Sequence, residues 1–396
     1  MDLPVLFSFG VVFSVIISCV AKPIVIIPKT GNWELSGKLY SINANTRYVP
    51  VVLFISVLFV CFAAFQDIYA GIYDQGNYKS FFDDAANYSS LNSYLEAYEQ
   101  EYLYMTVNWL LRQVTDSYNV VLILFFSFMY YALVRFFYTT HQEPSFILFL
   151  AVFCLVFAFV VQSYCIMRTG ISVSAGLLVF SELQQPSKSK MANVCKNLKI
   201  LVWTFISVGV HTLGLFILPI LVMYFIYKRA SFRTFLFWFA LFFILGYAGQ
   251  LILVNFLSFY KRFLLYAGLE ANPAYKTYFT NLCILFAIIY RRKRFFSNKN
   301  IALHFVIFMC TFYIYDFELL MTSIMFRMIY FTRLSTAIVI AELWKTYTPK
   351  KNEIMIPLFV RLFLVIYVTF NFYGFVVAMP RYGLDYYKIG GFYNFF

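Results

Sequence analysis

Four arginines lie in or beside apolar segments that we expect to face the outer side of a membrane: Arg168, Arg262, Arg327 and Arg333. Basic residues are normally depleted on that side. Arginine keeps its charge at physiological pH, and its planar fork of donors matches a phosphate or pyrophosphate. The four together indicate a site for a phosphorylated substrate. The alternative is that each side chain reaches to the membrane surface or forms a structural pair with Asp316 or Glu318.

Candidates for acid–base chemistry are a histidine and a few carboxylates. His211 falls within an apolar segment, where it could contact a phosphate or assist protonation of a leaving group. Glu101, Glu99 and Asp74 belong to an acidic stretch expected on the outer side. A carboxylate there could deprotonate a hydroxyl nucleophile or bind sugar hydroxyls. The alternative interpretation is a structural histidine and ordinary loop solvation.

Signatures of common catalytic and metal sites are missing from the sequence. It contains no GxxxxGK[ST], GxGxxG, HExxH or GxSxG motif, and it has three dispersed histidines. We therefore expect neither a histidine-rich metal site nor a cofactor. Ionisable residues in or beside the apolar segments are the functional candidates, because charge is costly in lipid and marks functional positions there.

The elements that must position these residues are membrane-spanning helices. Of the 396 residues, 62% are hydrophobic and 12% are charged, and the mean hydropathy is +0.75. Soluble domains are about a quarter charged because their surface faces water, so this composition excludes soluble enzymes and nucleic-acid-binding modules. The net charge of +13 then reflects membrane orientation rather than a polyanion-binding surface, and no nucleic-acid partner is expected.

Apolar runs long enough to cross a bilayer recur along the chain. Their bounds are roughly 3–21, 48–65, 119–138, 145–163, 169–183, 199–227, 234–256, 277–290, 301–320, 328–344 and 354–377. We therefore expect an all-α fold, a polytopic helical membrane bundle in which 1–396 form a single integral membrane domain. It should make about ten crossings and include one re-entrant or broken segment.

Charge divides the loops between two sides of the membrane. By the positive-inside rule, the inner regions are 22–47, the turn at Arg135, 184–199, 228–233, 291–300 and 345–353. The outer regions are 66–118, the turn near Arg168, 258–276, 321–327 and the carboxy-terminal tail. The four arginines named above therefore belong to the outer side, where orientation gives no reason for them.

The segment 199–227 conflicts with a simple crossing, because the loops on both sides of it are basic and should lie inside. Near its middle are Gly209, His211, Gly214 and Pro219. A segment that enters and returns, or two half-helices that meet near His211, satisfies the charge rule and uses these residues as breakers. A single tilted helix with one basic loop outside is the alternative.

The largest segment outside the apolar runs is 66–118, which is rich in Asp and Glu. From Leu91 to Trp109 its apolar residues recur every three or four positions. This spacing predicts an amphipathic helix lying at the outer membrane interface, with tyrosines and a tryptophan at headgroup level.

Short motifs follow one another along nearly the whole chain. They are Asp74-Gln-Gly-Asn-Tyr78, Glu101-Tyr-Leu-Tyr104 with Asn108-Trp-Leu110, Met-Arg168-Thr-Gly, Gly-Val-His211-Thr-Leu and Arg327-Met-Ile-Tyr330-Phe331. In this order the set resembles the EpsG-type or Wzy-type family of O-antigen polymerases. The sequence departs from that pattern before the first motif, where Phe65 and Gln66 stand in place of an arginine.

The resemblance implies a glycosyltransferase with a GT-C-like helical fold in the bacterial inner membrane. The family transfers a glycan from undecaprenyl pyrophosphate to a lipid-linked repeat unit at the periplasmic face, in lipopolysaccharide or exopolysaccharide synthesis. The residues that would bind pyrophosphate are Arg168, Arg327, Tyr330 and, as further candidates, Arg262 and Arg333. His211 would contact the phosphate, and Glu101 or Asp74 would activate the acceptor hydroxyl. No metal would be required.

The resemblance also implies the partners: a lipid-linked oligosaccharide, membrane lipid, a chain-length regulator and a flippase. Two other functions stay open at this point. A polysaccharide flippase or transporter would place polar residues near the membrane midplane on several spans, whereas here the charges gather near one face. An O-antigen ligase would use the same kind of site as a polymerase with a different acceptor.

Overall fold

The structure is a computed structural model that describes part of the chain. The described residues are 73–98, 100–140, 145–186, 189–257, 275–298, 300–318, 327–350 and 353–378. The predicted spans 3–21 and 48–65, and the candidate Arg262, lie outside them. The side chain of Asp74 also lies outside what is described.

Every regular element in those residues is helical. The α-helices are α1 Tyr73–Asp84, α2 Leu91–Ala97, α3 Tyr102–Arg112, α4 Tyr118–Thr140, α5 Phe146–Cys165, α6 Met167–Gln184, α7 Lys190–Val210, α8 Ile217–Arg229, α9 Phe232–Leu257, α10 Tyr275–Tyr290, α11 Arg292–Phe295, α12 Ile301–Glu318, α13 Tyr330–Thr346 and α14 Met355–Ala378. Short 3-10 helices span Ala85–Asn87 and Thr212–Phe216. The all-α prediction is confirmed.

The apolar runs predict the helix bounds closely. From 119–138 onward, and apart from 199–227, each predicted run matches a helix to within two residues at both ends. Two helical segments of the described chain, Tyr118–Thr140 and Thr212–Arg229, are long and apolar enough to cross a membrane by length and composition. Several shorter helical stretches are also apolar. The number of crossings stays a prediction.

Several helices carry large apolar side chains that are exposed on the surface of the protein. On α4 these include Ile123 at 63%, and on α14 Phe359 is 73% exposed. Water-soluble proteins rarely leave extended apolar surface uncovered, so such faces suit contact with hydrocarbon. The apolar helices and their exposed faces together suggest a membrane protein.

The chain divides into two compact units, Met1–Ser174 with Phe363–Phe396, and Ala175–Leu362. The first boundary falls within α6 and the last within α14. Helices α1 to α5 belong to the first unit, and α7 to α13 belong to the second.

In the first unit, α1, α2 and α3 pack together through tyrosines. Tyr94 Oη donates to Phe81 O at 2.7 Å, and Tyr98 Oη donates to Asp84 Oδ2 at 2.7 Å. Burial, with the neighbouring Asp84, raises the pKa of Tyr98, so its hydroxyl stays protonated and can donate. The periodic stretch 91–109 was predicted as one amphipathic helix. The structure divides it into α2 and α3.

In the second unit, α13 packs against α12 and is buried on nearly all sides. A polar contact joins these two helices to α6. His304 Nδ1 lies 3.1 Å from Ser335 Oγ, and His304 Nε2 lies 3.1 Å from Gln184 Nε2. If the amide donates to Nε2, the ring proton sits on Nδ1 and is donated to the serine. A buried histidine satisfied in this way is a structural group.

The chain reverses direction between α7 and α8. After α7, His211 has extended backbone, and the 3-10 helix Thr212–Phe216 leads into α8. A Cβ atom on Gly214 would collide with the backbone carbonyl group of Ser207. In a continuous helix these two residues would be about 10 Å apart along the axis, so the chain turns back on itself.

The ends of α7 and α8 that are farthest from His211 lie close together. Lys196 of α7 and Lys228 of α8 line one cavity. They stand 15 and 17 residues from His211, so about 22 and 25 Å of helix separate them from the reversal. The prediction of a segment broken near His211 is confirmed. A single tilted helix across 199–227 is excluded.

Four of the loops predicted to be inner lie together at one end of this unit. They are 184–199, 228–233, 291–300 and 345–353. Arg292 Cζ lies 4.9 Å from the ring centroid of Phe232, and Arg291 pairs with Glu353. Tyr347 Oη also donates to Ala287 O at 2.8 Å. The basic loops therefore share one side, as the charge rule requires.

The close approach at Gly214 gives a test of the reversal. Replacing Gly214 by Ala should lower the free energy of unfolding by about 1–3 kcal/mol, because the new methyl group meets backbone rather than a movable side chain. Thermal unfolding of the purified protein in detergent measures the effect.

Gly76→Ala is the matched control, since a Cβ there has no heavy atom within 4 Å. Its midpoint should stay at or above the wild-type value, because alanine is the better helix former. Equal midpoints for the two variants would show that the chain does not reverse closely at Gly214.

Candidate functional site

Arg168 is the centre of a polar cluster in the first unit. It is the second residue of α6, and one non-helical residue separates α6 from α5. Its Nη1 donates to Gln100 Oε1 at 2.6 Å and forms an ion pair with Glu101 Oε2. The side chains of Arg168 and Glu101 are 18% and 17% exposed. The pair is thus shielded from water without being sealed from it.

The break between α2 and α3 places the carboxylate of this pair. Tyr98 and Glu101 have extended backbone, and α3 begins directly after Glu101. Glu101 O accepts from Met105 N–H at 3.1 Å, but its side chain makes no capping hydrogen bond to the helix. The carboxylate instead meets the guanidinium of Arg168.

Two buried tyrosines frame the guanidinium. Arg168 Cζ lies 5.7 Å from the ring centroid of Tyr78 on α1 and 5.8 Å from that of Tyr104 on α3. The two rings contact each other edge to face at 5.7 Å, and their residues are 2% and 1% exposed. Cation–π attraction from two sides helps to hold the charge in a place with little water.

The arrangement offers both a cation and a base. A guanidinium in a site of reduced dielectric attracts an anion more strongly than one in bulk water. Arg168 Nε is buried and has no hydrogen-bond partner in the described part of the chain, so the donor fork is not fully used. The carboxylate of Glu101 could accept a proton from a hydroxyl group. In this state the two charges neutralise each other.

A second group of predicted site residues lies at the start of α13, in the second unit. Arg327 precedes the helix, and Arg333 Cζ lies 5.5 Å from the ring centroid of Tyr330. Tyr330 is 1% exposed, whereas both arginines are half-buried. Phe331, on the same turn, packs on Gly176 and Phe216. The structure therefore gathers the Arg-x-x-Tyr-Phe element at one helix end.

His211 lies at the reversal between α7 and α8. It is 8% exposed, and its Nδ1 accepts from Leu213 N–H at 3.3 Å. The ring therefore caps the 3-10 helix that follows it. An accepting Nδ1 leaves Nε2 as the nitrogen that carries the proton in the neutral ring. A role at a phosphate stays a prediction.

Sequence reasoning missed Gln100, which shares Arg168 Nη1 with Glu101. It also gave no role to Tyr78 and Tyr104, although both stand in the motifs quoted above. Glu101 and Tyr104 lie three positions apart at the start of α3, and Tyr78 lies on α1, but nothing local shows that Arg168 lies among them. Within the described residues, no group of three His, Cys, Asp or Glu could hold a metal ion.

The Glu101–Arg168 pair gives a prediction on stability. Glu101→Gln should lower the free energy of unfolding by about 1–3 kcal/mol, because it leaves a shielded guanidinium without its countercharge. Asp83→Asn is the control, since Asp83 pairs with Lys79 where the side chains are more exposed, at 45% and 35%. That change should cost less than about 1 kcal/mol. Chemical unfolding of the full chain in detergent compares them, and equal losses would contradict a shielded pair.

The N-cap at His211 gives a second prediction on stability. His211→Ala should cost about 1 kcal/mol, the usual effect of losing an N-cap. His211→Asn should recover most of that loss, because its amide oxygen can accept from the same N–H. The measurement is the thermal midpoint of each variant, and a midpoint for Asn as low as that for Ala would argue against capping.

The model of the EpsG family matches residues 50–382. No curated protein and no solved structure matches the chain. The family suggests a polysaccharide polymerase-like function, a glycosyltransferase-like enzyme in general with a lipid-linked oligosaccharide as substrate. Because the match covers well over half of the sequence and includes both arginine groups, the chain belongs to the EpsG family.

Proposed function

We propose that this chain is a polysaccharide polymerase that transfers a glycan from undecaprenyl pyrophosphate to a lipid-linked repeat unit. The observation that carries the proposal is the Arg168–Glu101 pair inside its frame of tyrosines. This ion pair supplies both a cation that can bind a pyrophosphate and a carboxylate that can accept a proton from a hydroxyl group. Membership of the EpsG family supports the polymerase class in general.

In the proposed reaction, the bond between the glycan's reducing-end carbon and the pyrophosphate oxygen breaks. The bonding pair leaves with the polyprenyl pyrophosphate. A hydroxyl oxygen of the incoming repeat unit forms the new bond to the same carbon, and its proton passes to a protein carboxylate. Negative charge grows on the pyrophosphate as the bond breaks, so a cation beside it stabilises the transition state more than the ground state.

Arg168 is proposed as that cation. Its fork can bind two phosphate oxygens at once, and the rings of Tyr78 and Tyr104 lie beside the guanidinium. A pyrophosphate competes with the Glu101 carboxylate for the guanidinium. When the guanidinium turns to the phosphate, Glu101 is released to accept the proton of the acceptor hydroxyl. Substrate binding would thus free Glu101 to act as the general base.

The other predicted site residues take supporting roles in the proposal. Further contacts to the pyrophosphate of donor or acceptor would come from Arg327, Arg333, Tyr330 and Arg262. His211 would contact a phosphate through its Nε2 side, and Asp74 is the second candidate for the base. We propose that these residues act at the periplasmic face of the inner membrane, because the regions that carry them are poor in net positive charge.

The test uses a variant of Arg168 that lacks the fork of hydrogen-bond donors and keeps the positive charge. Arg168→Lys should lower chain elongation about 100-fold, the usual effect of removing one donor to developing negative charge. Single-repeat lipid-linked product should then accumulate. The length distribution of the lipid-linked glycan, separated on a gel after expression in a strain lacking the wild-type protein, measures elongation.

Arg112→Lys is the matched control. Arg112 is exposed to a similar degree, 19% of its side chain, and it also pairs with a carboxylate and lies over an aromatic ring. Its variant should keep the normal ladder of chain lengths. A normal ladder from Arg168→Ala or Arg327→Ala would contradict the proposal.

Purified protein with a lipid-linked repeat unit separates the other functions. Growth of the glycan on the polyprenyl carrier supports a polymerase. Transfer to a lipid A acceptor without growth would show a ligase, and movement of the substrate across vesicles without transfer would show a flippase. Either of these results would overturn the proposal.

A further inference from the structure

A cavity of about 310 Å³ lies at the basic end of the second unit, and its lining includes none of the arginines named above. It is formed where the ends of four helices meet. Its lining residues are Leu183, Gln184, Gln185, Pro186, Asn193, Lys196, Tyr224, Lys228, Asn300 and Leu303. The volume is at the small end of the range for small-molecule sites, which is about 300–1,000 Å³.

The lining carries positive charge and amide groups, and it includes no acidic residue. Lys196 is anchored, because its Nζ donates to Gln185 O at 2.6 Å and to Leu183 O at 3.3 Å. An ammonium has three donors, so one remains for a ligand. Lys228 Nζ lies 4.7 Å from the ring centroid of Tyr224. No carboxylate within the described residues forms an ion pair with it.

The two ammonium groups oppose each other electrostatically. Burial and then the charge of Lys228 lower the pKa of Lys196, whereas the nearby carboxylate of Glu182 raises it. Two ammonium groups against one carboxylate leave a net charge of +1 at this place. An anion bound between the lysines would remove their repulsion, so the cavity is suited to a negative ligand.

We propose that this cavity binds a phosphate group of a small ligand at the basic side of the protein. Lys196 and Lys228 would hold the phosphate oxygens, and the side-chain amides of Asn193 and Asn300 would donate to the remainder of the ligand. The phosphate belongs either to a soluble compound or to the headgroup of an anionic phospholipid. This proposal does not depend on the polymerase reaction.

The reversal at His211 explains why the site exists. Lys196 and Lys228 are 32 positions apart in sequence, and they meet because α7 and α8 run back from the same break. The basic loops that satisfy the positive-inside rule therefore also build a charged cavity. Lysines spread over the loop surfaces would be enough to orient the chain in the membrane.

The experiment measures binding to the full purified chain in two settings. Inorganic pyrophosphate is titrated by calorimetry against protein in a neutral detergent. Separately, binding of phosphatidylglycerol is measured by native mass spectrometry after release from nanodiscs containing that lipid and phosphatidylcholine. Lys228→Gln should weaken the binding that is observed at least tenfold.

Lys196→Gln should have a similar effect, but this residue also holds two backbone carbonyls. Lys228→Gln is therefore the decisive variant, because Lys228 is exposed and makes no such bond in the described chain. Lys190→Gln is the control, since Lys190 lies on the same helix, is exposed and does not line the cavity. It should leave the affinity unchanged.

Each result either supports the proposed phosphate site or overturns it. Lysine-dependent binding of pyrophosphate in detergent supports a soluble phosphate compound as the ligand. Lysine-dependent binding of phosphatidylglycerol, with none of pyrophosphate, supports a lipid headgroup. Absence of binding in both settings overturns the proposal, as does binding that Lys190→Gln weakens as much as Lys228→Gln.

Discussion

The reversal at His211 is the constraint on which the second unit depends. Gly214 approaches Ser207 so closely that any side chain would collide with backbone, and the ring of His211 accepts one of the amide protons exposed by the break. This local geometry sends α7 and α8 back to the same end. The basic loops 184–199 and 228–233 then lie at the same end of this unit as 291–300 and 345–353, as the charge rule requires. A small-residue contact thus sets the orientation of a much larger region.

The first unit meets a different physical problem, which is how to keep a guanidinium in a place with little water. Its solution combines one carboxylate, one amide oxygen and two aromatic faces around Arg168. These partners come from α1, from the break between α2 and α3, and from the first turn of α3. The helices of the loop 66–118 therefore serve to hold one side chain of α6. A shielded ion pair is often no more stabilising than packed apolar side chains, so we expect this charge to have a use beyond stability.

Length and apolar character were enough to predict the helices from 119 onward, because an apolar run in lipid has few alternatives to a helix. The conflict of charge around 199–227 also predicted the break at His211, since two basic loops cannot both be satisfied by one crossing. The division of 91–109 into α2 and α3 was not predicted, because the apolar spacing continues through it. Gln100 was missed for the related reason that pairing with Arg168 is a long-range contact, 68 positions apart.

The paired helices α7 and α8 carry apolar side chains on surfaces that other helices of the described chain leave uncovered. Phe205 is 67% exposed on α7, and Phe225 is 51% exposed on α8. Because such a surface suits contact with acyl chains, we expect the depth of this hairpin to follow the thickness of the surrounding hydrocarbon. A thinner bilayer would press both helix ends toward the headgroups at the same time. Lipid composition could in this way alter the geometry of the basic end without any ligand.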